Sequence, residues 1–195
     1  MMGPREIAGF LLRVGVLYCL FQAAWLVLGE PFGVCFRAMV AISLGPGDSR
    51  RELSVQEIKT AKGETRVEIV NRSLMAQDGS GPVRHLDFNA RSLAWRPSCL
   101  LAALILASSI PWRRRLTALG LGLFFQQVVM LVFIGFAVWL ESAEIGLVDF
   151  SPSQKDLLVA LKQVILSHLP LVSPVIIWLL VTFRARDLRI LREGC

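Results

Sequence analysis

The sequence predicts an α-helical integral membrane protein, with four transmembrane helices and a small β-rich extracytoplasmic insert between spans one and two. Three observations carry this. Hydrophobic residues make up 54% of the 195 positions and charged residues only 18%, giving a mean hydropathy of +0.58. The apolar excess is gathered into long continuous runs, which is the signature of membrane spans rather than of a soluble core. Between Gly45 and Ser92 the character then changes to polar and alternating.

The first run is Phe10 to Leu28, preceded by Arg5 and interrupted only by Arg13 and Gln22. At ~1.5 Å rise per residue it covers close to 30 Å, enough to cross the hydrocarbon. A cleaved signal peptide would have a shorter apolar region and a small-residue cleavage site, and neither is present. Cys19 follows Tyr18 rather than a small residue, which argues against a lipoprotein. Residues 1–29 are therefore expected to be an uncleaved signal anchor.

Glu30 and Pro31 are expected to break this helix, leaving 30–44 as an interfacial amphipathic segment. There Arg37 would snorkel while Phe32, Phe36, Met39 and Val40 face lipid. The alternative is a kinked continuation of the first span. Residues 93–183 read as a three-helix transmembrane bundle: Leu93 to Ile110, closed by Pro111-Trp112-Arg113-Arg114-Arg115; Leu116 to Leu140, followed by an acidic loop with Glu141 and Glu144; and Leu157 to Phe183. Residues 184–195 form a basic tail. Trp25, Trp95, Trp112, Trp139 and Trp178 fall near span ends, where an indole prefers to sit.

Short connections set the orientation. Three arginines lie between spans two and three, and Arg184, Arg186, Arg189 and Arg192 follow span four. Between spans three and four there is only Lys155. Both termini are thus expected in the cytoplasm and the insert outside, in a bacterial inner membrane. The formal charge of +6 is explained by these clusters, and nucleic acid is not an expected partner because no recognition fold is left to bind it.

Residues 45–92 read as an extracytoplasmic module containing a β-hairpin. Gly45-Pro46-Gly47-Asp48 is a turn cluster, and Leu53, Val55 and Ile58 then alternate imperfectly with polar residues. Ala61-Lys62-Gly63-Glu64 turns the chain into a second arm carrying Val67, Ile69 and Leu74. Asp78 to Pro82 precedes a third strand, Val83 to Phe88. Three short strands make a very small apolar core, marginal alone. The module is expected to lean on the bilayer, on 32–44 or on another protein, and its edge strand suits docking by strand addition.

Chemistry, if present, is sought among polar groups within spans. Gln126, Gln127, Lys162, Gln163 and His168 are read as interhelical polar contacts, with His168 or Gln163 bonding the glutamine pair. Arg91, Trp95, Arg96, Trp112, Arg113, Arg114 and Arg115 are read as membrane-interface anchors. An intramembrane hydrolase would need Cys99 or Ser167 as nucleophile, His168 as base and Arg91 or Arg96 as charge stabiliser. Cys99 lies near the outer end of its span and His168 nearer the middle, an awkward offset. There is no GxSxG, HExxH, GxGxxG or P-loop. The four cysteines, Cys19, Cys35, Cys99 and Cys195, show neither metal spacing nor a disulfide framework. No catalytic, cofactor-binding or metal-binding residue is assigned, and no cofactor is expected.

The stretch from Phe88-Asn89 through Trp95-Arg96-Pro97, the triplet Arg113-Arg114-Arg115, and Phe150-Ser151 before a proline-rich span together resemble the exosortase-associated membrane proteins. The type they resemble is called exosortase H-associated. The resemblance implies one N-terminal span, a short β-rich outer insert and three further spans. The Cys/Arg/His catalytic set of exosortases belongs to the enzyme, and none of it carries over. The expected function is a non-catalytic accessory or assembly subunit that presents its outer module to a membrane-protein partner in exosortase-type protein sorting. The alternative is a small membrane transporter or intramembrane enzyme built on the polar groups of spans three and four. The lipid bilayer is the other expected partner.

Overall fold

A computed structural model describes residues 3–45, 51–58, 64–75, 81–147 and 151–182. The chain is mostly helical, with α1 at Pro4–Leu44, α2 at Arg96–Ala107, α3 at Trp112–Glu144 and α4 at Pro152–Thr182. Three strands, β1 at Arg51–Glu57, β2 at Glu64–Asn71 and β3 at Val83–Asn89, form an antiparallel meander in the order β1-β2-β3. Two of the helices, α1 and α3, are long and apolar enough to cross a bilayer, and α4 carries a shorter apolar stretch, His168–Thr182.

The expected break at Glu30 and Pro31 does not occur. α1 runs through Pro31 as one helix of 41 residues, about 60 Å long. Proline forfeits one backbone bond, at about 3 kcal/mol in a helix interior, but Pro31 lies on the exposed side of α1. The buried stripe Trp25, Gly29, Gly33, Phe36 and Val40 continues past it at i+3/i+4 spacing. Packing along that stripe holds the helix together across the proline. The N-terminal half of α1 is different: Leu11, Leu12, Val16, Leu20, Leu26 and Val27 are all exposed.

Other boundaries shift as well. Arg113, Arg114 and Arg115 stand in the first turn of α3 instead of forming a loop, with Pro111 as the preceding cap residue. At its other end α3 extends through the supposed acidic loop to Glu144, and Glu141 is buried. The second apolar run opens with a wide π-helical turn, Arg91–Trp95, before α2 begins. α3 approaches α2 closely at Gly122, where a Cβ would stand 3.1 Å from Ile105 Cδ1. Leu74 leaves the second arm of the hairpin for a short 3-10 turn, Arg72–Leu74.

Register explains how the sheet is held. β2 alternates buried and half-buried residues along its whole length. Its inner residues Val67 and Ile69 pair with Val55 and Leu53 on one side and with Leu86 and Arg84 on the other. This face joins the same core as Phe36 and Val40 of α1 and Ala137 and Val138 of α3. Burying Val67, Ile69 and Phe88 contributes roughly 2 kcal/mol each, which a free three-stranded sheet could not obtain. Polar ties rim this face. Arg37 of α1 meets Glu57 at 3.1 Å, Arg84 meets Glu144 at 3.0 Å, and Asn71 Nδ2 donates to Ile145 O at 2.8 Å.

The outer face of the sheet is polar and paired with itself. Arg66 donates to both carboxylate oxygens of Asp87, at 2.8 and 3.0 Å. Ser54 and Gln56 donate to Glu68, each at 3.2 Å. Within the pair, the hydrogen bond and charge of Arg66 hold the Asp87 carboxyl below its ordinary range. Among the described residues, no strand pairs with the free edges of β1 and β3.

Candidate functional site: the junction of sheet and helices

The junction is built from Asn89 onward. Asn89 ends β3, and its Oδ1 accepts from Arg91 N at 2.9 Å and Ser92 N at 3.2 Å. Ser92 Oγ returns a hydrogen bond to Asn89 O at 3.1 Å. Asparagine at a helix start suits this role because its short side chain satisfies otherwise orphaned N–H groups. The π-helical turn that follows widens the backbone by one residue per turn, a feature frequent at functional sites.

That turn carries Trp95 onto α1. Its ring stands 5.4 Å from Trp25 and 5.1 Å, edge-on, from Phe32, and Trp25 and Phe32 are 6.0 Å apart. Arg91 places its guanidinium carbon 5.9 Å from the Trp25 ring, within cation–π range. Gly29 makes room for the cluster, since a Cβ there would lie 2.8 Å from Trp25 Cε2. Trp25 is thus buried inside the molecule. Trp95 and Arg91 are half-buried in the same cluster, while Arg96 is exposed.

Three buried N–H donors in this region have no partner among the described residues: Gln22 Nε2, Arg91 Nε and Trp95 Nε1. Gln22 lies one turn before Trp25 on α1. Unpaired donors in a dry setting cost roughly 1–3 kcal/mol each, so the junction would gain from an acceptor.

The helical contacts form a second group. Gln126 Nε2 donates to Ser173 Oγ at 3.1 Å, both side chains being buried. Gln127 Nε2 donates to Ser98 Oγ at 3.2 Å. Both glutamines therefore bond across helices, to serines on α4 and α2. His168 is exposed on α4, and the side chains of Lys162 and Gln163 lie outside the described residues. Neither Ser98 nor Ser173 was distinguishable in sequence from any other serine within an apolar run.

At the end of the helices remote from the sheet, Arg115 Nη2 donates to Ser108 O at 2.7 Å and to Ile110 O at 3.2 Å. Arg114 Nη2 donates to Thr182 O at 2.5 Å. These carbonyls lie at or just past the ends of α2 and α4, where main-chain acceptors lack helical partners. The guanidiniums supply both the donors and the positive charge that such ends favour. Arg113 and Trp112 are exposed, and Arg115 stands 5.7 Å from the Trp112 ring. Trp178 donates to Ser108 Oγ at 2.9 Å, joining α4 to the end of α2.

Cysteine placement is mixed. Cys19 and Cys35 are exposed on α1, while Cys99 is buried. Among the described residues, no three His, Cys, Asp or Glu side chains gather as a metal site.

Comparison with known proteins places this geometry in a family context. The family model described as exosortase H-associated membrane protein matches residues 4–185. No curated protein and no solved structure matches the chain.

Proposed function

The chain belongs to the exosortase H-associated membrane proteins, and on that premise we propose that it is a non-catalytic accessory subunit of an exosortase-type protein-sorting system. In this reading the sheet is the partner-facing module, carried by a four-span membrane body with both termini in the cytoplasm. The observation that supports it is the way the sheet is fastened. Its inner face is packed on α1 and α3 and rimmed by the Arg37–Glu57, Arg84–Glu144 and Asn71–Ile145 ties. A module so held stands at a defined position relative to the helices, while the outer edges of β1 and β3 are left for a partner strand.

The four-span reading adds two further helices to α1 and α3. The π-helical turn and α2 together cover 91–107, about 26 Å of rise. α4 covers 31 residues, with Pro170 and Pro174 inside it. Prolines are tolerated within membrane helices where neighbouring groups re-satisfy the backbone. Orientation rests on the basic clusters at the ends of α2, α3 and α4.

The test is purification of the full-length chain from its native membrane in mild detergent. A stoichiometric exosortase in the eluate supports the accessory reading. A chain that elutes alone from membranes containing the exosortase contradicts it.

A further inference from the structure

A cavity of about 720 Å³ opens at the end of the helices remote from the sheet, lined by residues of α1, of the turn after α2, and of the ends of α3 and α4. Arg5, Arg13 and Arg114 line it, opposed by one carboxylate, Glu6, which accepts a hydrogen bond from Gly3 N at 3.0 Å. Its apolar wall includes Phe10, stacked on Trp178 with centroids 5.9 Å apart. Ser108 and Ser109 also line it, the Ser108 hydroxyl being held by Leu104 O and Trp178 Nε1.

The depth of Arg13 is the telling feature. It sits eight residues beyond Arg5, roughly 12 Å deeper along α1. Leu11, Leu12 and Val16, its neighbours on the helix, are exposed as hydrocarbon-facing residues are. An arginine at that level is costly unless it reaches a polar group. Here it lines a cavity that leads towards the helix ends, where Arg114 is fixed by Thr182 O. Three arginines lining one apolar-walled cavity fit a tetrahedral anion attached to hydrocarbon.

We infer that this cavity binds the phosphate group of an anionic membrane lipid, with Arg5, Arg13 and Arg114 around the phosphate and Phe10 and Trp178 against the attached glycerol and chain. The inference rests on the reading of α1 as a membrane span.

The test uses the full chain in detergent, with native mass spectrometry counting retained phosphatidylglycerol against phosphatidylcholine. Wild type is expected to retain phosphatidylglycerol preferentially. In Arg5→Gln/Arg13→Gln the retention should weaken by about tenfold or more. Inorganic phosphate is added in a parallel arm. If it displaces phosphatidylglycerol at low concentration, the phosphate site stands and its source is the soluble anion; if it does not, the lipid is the source. Equal retention of both lipids by wild type, or by wild type and double variant alike, overturns the inference. Alkaline carbonate extraction separates this failure from that of the span. A chain resisting extraction yet showing no lipid preference loses only the lipid site, whereas extraction of wild type overturns both.

Discussion

Asn71 donates its Nδ2 hydrogen to the main-chain carbonyl of Ile145 across 2.8 Å, joining the end of β2 to the end of α3. The side chain is fully buried, and its Oδ1 also accepts from Ser73 N at 3.1 Å. Replacing it with leucine leaves the Ile145 carbonyl and the Ser73 amide without this partner. The expected loss is about 1–3 kcal/mol. It should appear as a lower thermal midpoint in detergent and faster amide exchange in β2, with exchange in α2 unchanged.

The Trp25 cluster depends on the absence of a side chain at position 29. Gly29→Leu would drive carbon atoms into the indole, starting from a Cβ 2.8 Å from Cε2. Overpacking of this kind costs about 1–3 kcal/mol. Displaced from Phe32 and Trp95, Trp25 should become more exposed to quenchers, which tryptophan fluorescence would register. Gly15→Leu is the control, since a Cβ there meets nothing within 4 Å, and it should leave the spectrum as it is.

Gln126 and Ser173 form a closed pair in the helical core. Gln126→Leu alone leaves Ser173 without this bond and should destabilise the bundle by about 1 kcal/mol. Adding Ser173→Ala should cost less than the sum of the two single changes, because neither polar group is then stranded. A double-mutant cycle on thermal unfolding in detergent checks this. Strict additivity would mean that the bond contributes nothing.

Much of this architecture was legible in the sequence, and the failures have common causes. Val67 and Ile69 announced β2 by interleaving with Arg66 and Glu68, and Asn71, Arg72 and Leu74 marked where it ends only approximately. Pro31 was misread because its local cost was weighed without the packing stripe from Trp25 to Val40. The repeat of Trp25, Gly29, Gly33, Phe36 and Val40 at helical spacing was the signal that this face is packed. The arginines at 113–115 read as a loop because charge interrupts an apolar run in either case, and only tertiary contacts show that two of them cap helix ends. Gln126 and Gln127 stood out as costly residues in a span. Their partners, Ser98 and Ser173, did not, since a serine can satisfy itself on its own helix.

On the outer face of the sheet, the Arg66–Asp87 pair sets a pH dependence. Arg66 depresses the Asp87 carboxyl below its ordinary value of 3.8. A depressed carboxylate contributes stability that is fully present above the unfolded value and is lost as pH falls through the lower folded one. The pair's contribution should therefore be full and nearly independent of pH from neutral down towards 3.8, and be lost as the solution becomes more acid. The pair is solvent-exposed, so the effect is small and weakened by salt. Asp87→Asn should abolish that acid limb of the stability curve, as followed by circular dichroism in detergent.

The central claim, that the fastened sheet is the surface an exosortase meets, is tested most directly by site-specific photo-crosslinking in native membranes. A crosslinker is placed in turn at Gln56 on β1, at His85 on β3 and at Phe124 on the exposed flank of α3. The account predicts an exosortase adduct from Gln56 or His85. Adducts from Phe124 alone, with both strand positions silent, would contradict it.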